Sequence, residues 1–311
     1  MKNWFLKNKY NILKILLAII LLGVLVYYVG AKNILNILKE FNIIYLIPAA
    51  ALLLLGYMLN AFNLYIMLTP LKLKNKFSEY FYQYSLSRAM GFISPSRIGD
   101  FSLPYFMAQK EYGKIFGIMI IDKMITIGVM SAFGIIGIEH YFGIVYFLIC
   151  LVGFSVLAIM ILMAFTNIKL RSFLSKKLGK YNKHFLGFYE SITILLKKHL
   201  NLILINCILT IARLAVSAGI IYVLFMGLGF QLQFLDVFLI FNISFLTSFL
   251  PITINGFGFK ELVVVLLYSR IGVESAAAFN VHIITFMESY VIILLIIAIM
   301  KIMKTSKKLI S

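Results

Sequence analysis

The sequence predicts an all-α, polytopic membrane protein with six spanning helices plus two re-entrant broken-helix hairpins, arranged as inverted repeats. Three observations predict it. Hydrophobic residues make up 62 % of the 311 residues, charged ones only 13 %, and the mean hydropathy is +1.01, a balance found in integral membrane chains. Apolar runs of about 20 residues, the length that crosses a bilayer core, recur along the whole chain. Two further apolar stretches are interrupted by Pro, Gly and charge, Arg88–Asp100 and Phe249–Glu261. Discontinuous helices at corresponding places in two halves of a membrane protein point to a binding site near the midplane.

Ile12–Val29 is the first predicted span, and no convincing small-residue cleavage site follows it, so it reads as a span that stays. Ile43–Leu68 is the second, and Ser78–Gln109 is the first broken element. Ile115–Ile138 and Tyr141–Phe165 are the third and fourth spans. The Thr166–His199 loop is basic, with Phe173-Leu174, Phe185-Leu186 and Phe188-Tyr189 between its charges, which suits an interfacial segment drawn to an anionic inner leaflet. Leu200–Leu228 is the fifth span, Leu232–Tyr268 the second broken element and Val273–Met300 the sixth span. The chain is thus one integral membrane domain, residues 1–311, with repeat A at about 43–138 and repeat B at about 200–300.

Lys and Arg assign the sides, because cytoplasmic loops carry an excess of them. With both termini cytoplasmic and both broken elements returning to the side they left, 21 basic residues fall inside and 3 outside (Lys32, Lys39 and Arg270). This asymmetry accounts for the net charge of +18 without a nucleic-acid partner. It also makes the two halves inverted repeats, whose hairpin tips approach the midplane from opposite faces.

Five bases remain at membrane depth: Arg88, Arg97, Lys123, Arg213 and Lys260. Four acids, Asp100, Asp122, Glu261 and Glu288, share that zone as a charge network. Charges there cost a few kcal/mol or more each and are functional candidates by default. The bland alternative is ion pairing that fixes packing, Arg97 with Asp100 or Lys123 with Asp122. Arg213 has no acid within a turn, and Glu288 is its expected structural partner.

The breaks themselves suit a phosphate. Ser94-Pro95 is a good helix start, and Pro251 with Asn255-Gly256 interrupts and restarts a helix. A helix N-terminus offers unpaired N–H groups and partial positive charge. Arg97 and Lys260 stand beside the breaks, while Gly99, Gly256 and Gly258 let backbone approach a headgroup or simply make tight turns. The expected lipid-phosphate ligands are therefore Arg88, Ser94, Arg97, Gly99, Arg213, Gly256, Gly258 and Lys260.

Ser94-Pro-Ser-Arg-Ile-Gly-Asp100, the Asp122-Lys123 pair, and Pro251 followed by Gly256-Phe-Gly-Phe-Lys-Glu261 resemble the membrane region of lysylphosphatidylglycerol synthases. The similarity runs from about Ile12 to Met300. It implies a flippase-like, lipid-translocating membrane domain. The chain departs in carrying Ser96 where Gly is common, and Lys123 and Lys260 where Arg is common; charge survives but the bidentate fork is lost. The family's aminoacyl-transferase domain has no counterpart in these residues, so lysine transfer by this chain is not expected.

Other chemistry finds little footing. Cys150 and Cys207 lie in apolar segments and read as core thiols. His140, His184, His199 and His282 are scattered, with no acid at metal-ligand spacing. No phosphate-binding loop, dinucleotide fingerprint or nucleophile elbow is present. No cofactor or metal is expected. The leading function is movement of an anionic lipid, a phospholipid or a polyprenyl-phosphate-linked one, between leaflets of the cell membrane. A second is a non-transporting accessory subunit of a membrane glycosyltransferase or cell-envelope assembly system. A third, an enzyme at the outer face, would need one of Glu40, Glu139, Asp236 or Glu274. The expected partners are the lipid itself, a second copy of the chain or a membrane glycosyltransferase.

Overall fold

A computed structural model describes residues 16–17, 19–72, 76–107, 111–166, 187–247 and 258–310. Among these the chain is helical throughout. The helices are α1 (Ile19–Val29), α2 (Ala31–Glu40), α3 (Leu46–Leu68), α4 (Phe77–Ile93), α5 (Leu103–Phe106) and α6 (Tyr112–Phe142). They continue as α7 (Ile144–Thr166), α8 (Phe188–Lys198), α9 (Leu200–Gly227), α10 (Phe234–Leu246), α11 (Phe259–Arg270) and α12 (Ser275–Ile310). Four helical stretches, Ile43–Leu71, Tyr112–Phe142, Leu200–Gly227 and Ser275–Met303, are long and apolar enough to cross a membrane; α1 with α2 makes a fifth if that bent pair is one span. α7 is apolar over Ile144–Val156, and Ile144, Val145, Ile149 and Val152 are all exposed. A helix that is apolar on all sides suits lipid rather than water.

α1 and α2 meet at Gly30, whose φ of +86° suits glycine, and their axes differ by 75°. α2 has three sides. Ile34 and Ile37 pack on the core, Leu35 and Leu38 are apolar and exposed, and Lys32, Asn36, Lys39 and Glu40 occupy the remaining arc. Asn280 of α12 donates to the Ile34 carbonyl at 2.8 Å and holds α2 in place.

Two apolar cores divide the helices by depth. One joins Leu25, Ala49, Leu53, Met130, Phe225, Ile240, Val265 and Tyr268. The other joins Ala61, Leu64, Met67, Tyr80, Leu103, Ile115, Ile118 and Leu195. α3 and α6 contribute to both. The stretch of each helix between its two core contributions is where polar residues sit.

The first broken element folds back on itself. α4 ends at Ser94, residues Pro95–Ser102 form a 3₁₀ helix, and this limb packs against α4. Glycine makes the approach close: a Cβ on Gly99 would stand 2.2 Å from the Met90 carbonyl oxygen, and one on Gly91 1.9 Å from an Asp100 carboxylate oxygen. Gly99 therefore serves packing of the hairpin. The ring of Tyr290 on α12 stacks 4.8 Å from Phe92, and its hydroxyl donates to the Phe92 carbonyl at 3.2 Å.

One expectation is corrected. Residues 188–198 of the supposed interfacial loop form α8, whose Ser191, Ile192 and Leu195 are buried. α8 lies on α6 at Gly117, where a Cβ would come 2.5 Å from the Ser191 hydroxyl and 2.7 Å from the Phe188 carbonyl. Lys114 fastens the contact with Glu111 at 2.8 Å and Glu190 at 3.9 Å. Phe173-Leu174 and Phe185-Leu186 lie outside the described residues.

Candidate functional site

A cavity of about 440 Å³ lies where α3, α4, α6, α9, α10, α11, α12 and the 3₁₀ limb converge. Phe92, Met130, Ile220, Phe241, Phe245 and Phe286 give it an apolar lining. Set into that lining are four of the five predicted cations, Arg88, Lys123, Arg213 and Lys260, together with Asp100. The side chain of Arg97 and the whole of Gly256, Pro251 and Asn255 lie outside the described residues.

Three devices position the four cations. The fold-back of the hairpin brings Asp100 to Arg88, 12 residues earlier, at 2.6 Å. Ser87 donates to the Asp100 carbonyl at 2.5 Å and holds that limb. The same Asp100 carboxylate lies 3.4 Å from Lys123 on α6. One buried carboxylate thus serves two cations. The pairing Lys123–Asp122 read from sequence adjacency is replaced: a helix points adjacent residues 100° apart, and the partner comes from a facing element; the expected Arg97–Asp100 pair rests on a side chain outside the described residues. Asp122 instead accepts from Asn206 of α9 at 2.9 Å.

Arg213 is held by neutral groups. Its guanidinium donates to Asn60 of α3, Thr126 of α6 and, at 3.3 Å, Thr210 of its own helix. Thr210 also accepts from Asn63 at 3.2 Å and donates to Asn206 at 3.4 Å, so the belt runs on to Asp122. The expected Arg213–Glu288 pair does not form among the described residues: no carboxylate lies within 4.0 Å of Arg213, and Glu288 Oε2 has no hydrogen-bond partner. Asn and Thr from adjacent helices reach the guanidinium first.

Lys260 lies in the first turn of α11, 3.6 Å from Glu261. Glu261 is buried and reaches back to accept from the Gly258 N–H at 2.7 Å. That donor, expected to be free for a phosphate, is therefore occupied by the protein's own carboxylate. Gly258, with φ of +84°, caps the helix in a conformation other residues resist. Ser94 is likewise used locally, accepting from Gly99 N–H at 2.6 Å and donating to the Gly91 carbonyl at 3.1 Å.

The structure adds residues the sequence reading passed over. Asn60, Thr126, Ser217, Ser244, His282, Thr285 and Ser289 also line the cavity. Their signal is spacing: Asn60 and Asn63, Asp122 and Thr126, and Asn206, Thr210 and Arg213 each repeat at three or four residues along otherwise apolar helices.

Apolar membrane-length helices around an internal cation-lined cavity define a multi-pass membrane protein with a polar interior. The chain belongs to the lysylphosphatidylglycerol synthase transmembrane-region family, whose model matches residues 11–297. No curated protein and no solved structure matches it.

Proposed function

We propose that the protein moves an anionic lipid, a phospholipid or a polyprenyl-phosphate-linked one, between the leaflets of the cell membrane, without catalysing a reaction. One observation carries this reading. Among the described residues Arg213 is the cavity cation with no carboxylate within 4.0 Å, while Arg88 and Lys123 share Asp100 and Lys260 has Glu261. An uncompensated guanidinium in an apolar-walled cavity is expensive unless an anion visits it, and guanidinium suits phosphate. The headgroup would sit in the cavity and its chains against the apolar helix faces.

The reading includes six spans, two re-entrant elements and cytoplasmic termini. Its support is the order of elements, long helix, broken element, long helix, which occurs as α3 to α6 and again as α9 to α12, and the one-sided distribution of Lys and Arg. Single cysteines at Lys76 and Lys110 are expected to label from the cytoplasm only, and cysteines at Gln231 and Arg270 from outside only. Opposite sides for 76 and 110 would make the first broken element a span and end the inverted-repeat arrangement.

In this scheme one phosphate meets Arg97 and Lys260 in turn as access alternates. Reconstituted in liposomes, Arg97→Gln and Lys260→Gln should each slow movement of labelled phosphatidylglycerol sharply, with expression and folding little changed. Lys at position 97 should rescue in part, since charge remains and the fork is lost. Normal movement by a folded double variant would sink the relay and favour the accessory-subunit reading.

A further inference from the structure

The cavity wall carries an imidazole as well as cations, His282 of α12. It lies seven residues into the membrane-length stretch Ser275–Met303, about 10 Å along that helix. The residue is 4 % exposed, and its Nε2 has no hydrogen-bond partner among the described residues. A buried ring nitrogen in that state is costly unless a ligand or water completes it. Histidine is also the side chain whose charge changes most readily near neutral pH.

The elements packed around α12 bring several titratable or charged groups. Lys32, Lys39 and Glu40 of α2 are exposed. Tyr57 of α3 donates to the Ser289 carbonyl at 3.2 Å. Arg88 of α4 is held by Asp100, and Arg213 of α9 by Asn60 and Thr126. α11 presents Lys260, Glu261 and Tyr268, whose ring lies 6.2 Å from the imidazole. On α12 itself, Tyr290 is bound to the Phe92 carbonyl, and Glu288 stands six residues on, about 240° around the helix. Of these, Lys260 is the charge within electrostatic reach of His282, and it lines the same cavity.

That arrangement ties the charge of the ring to the contents of the cavity. With no anion present, a proton on His282 would set a second positive charge beside Lys260 in an apolar-walled space. Burial and like charge both oppose it. A lipid phosphate at Lys260 reverses the balance, because it compensates the cation and offers an acceptor to a ring N–H. The proton adds to the ring from cavity water as the phosphate arrives, and it returns to water as the lipid leaves. Lipid anion and proton together carry no net charge, and a neutral pair crosses an apolar barrier at lower cost than the anion alone.

Resting on the reading of this cavity as a path for an anionic lipid, we infer that the protein carries a proton with each lipid, as a lipid–proton symporter, and that His282 holds the proton.

Proton uptake on lipid binding tests this. The full chain in phosphatidylcholine nanodiscs, weakly buffered near neutral pH with an indicator dye, is titrated with dioctanoyl phosphatidylglycerol. The wild type should take up about half a proton or more per lipid bound. Because the loaded state holds more protons, affinity should rise on acidification, by up to about tenfold per pH unit. His282→Gln should bind without proton uptake and with an affinity that no longer follows pH; His282→Asn decides the matter if that variant fails to fold. In liposomes holding the wild type, a pH gradient should drive labelled phosphatidylglycerol toward the alkaline side, whereas a potassium diffusion potential should not. Wild-type binding without proton uptake, or unchanged uptake in a folded variant, overturns the symport and leaves the anion path standing. Movement that follows the potential and ignores the pH gradient does the same. No saturable binding and no movement of the lipid by the wild type overturns both.

Discussion

Arg213→Met is expected to slow lipid movement by about ten- to a hundredfold while leaving the protein as stable as the parent or more so. The guanidinium is 7 % exposed and rests on Asn60, Thr126 and Thr210, with no carboxylate to compensate it. Replacing a buried charge by an apolar side chain of similar length removes a desolvation cost, and such changes are often neutral or stabilising by about 1–4 kcal/mol. Against this stand the hydrogen bonds lost by three neutral acceptors, about 1 kcal/mol each at most if water from the cavity replaces them. If Arg213 grips the lipid phosphate, losing a charge-assisted contact of about 1.5–3 kcal/mol slows movement by about ten- to a hundredfold. Liposome assays and melting curves in detergent read the two effects separately. A variant that melts far below the parent would make Arg213 a packing element. One that moves anionic lipid at the parental rate would remove the central support of the proposed function.

Asp100→Asn should produce the opposite pattern, a large loss of stability. Asp100 is 5 % exposed and compensates both Arg88 and Lys123. Removing its charge leaves two partly buried cations without their shared carboxylate, and breaking a buried pair on one side costs up to about 3–5 kcal/mol. For a chain of this length that corresponds to a fall in melting temperature of about 5–8 °C. Gly91 leaves room for the carboxylate, so the amide fits without collision and the effect reports charge. Adding Arg88→Gln should restore part of the loss. A melting point within about 2 °C of the parent for Asp100→Asn alone would show the two cations to be hydrated from the cavity.

These contrasts also show where the sequence was legible. Long helices announce themselves through apolar runs, and α3, α6, α9 and α12 lie where those runs lie. The first fold-back was readable because Ser94-Pro95 and Gly99 interrupt a helix in ways few other residues do. Partners were not readable. Asp100 reaches Arg88 only because the 3₁₀ limb returns along α4, and Arg213 meets Asn60 and Thr126 from two other helices. Nearness in sequence suggested Lys123–Asp122, and elimination suggested Glu288. Neither argument contains the rotation of one helix against another. α8 was missed because its charges drew more notice than the spacing of Ile192 and Leu195. His282 was measured against Glu288, when its companions on the helix were Thr285 and Ser289.

α2 carries a consequence for how the cavity sits in the bilayer. With α1 along the membrane normal, the 75° bend sets α2 within about 15° of the membrane plane. It then behaves as a float. Sinking the protein would submerge Lys32 and Lys39, and lifting it would wet Leu35 and Leu38. Both moves would be opposed, which in that orientation would pin the waterline to α2. Asn280 ties that waterline to α12, the helix that carries His282, Thr285 and Ser289 into the cavity. In that orientation the depth of the cavity below the headgroups would be set by a ten-residue helix at the surface, and a bilayer of different thickness would adjust at the far side of the protein.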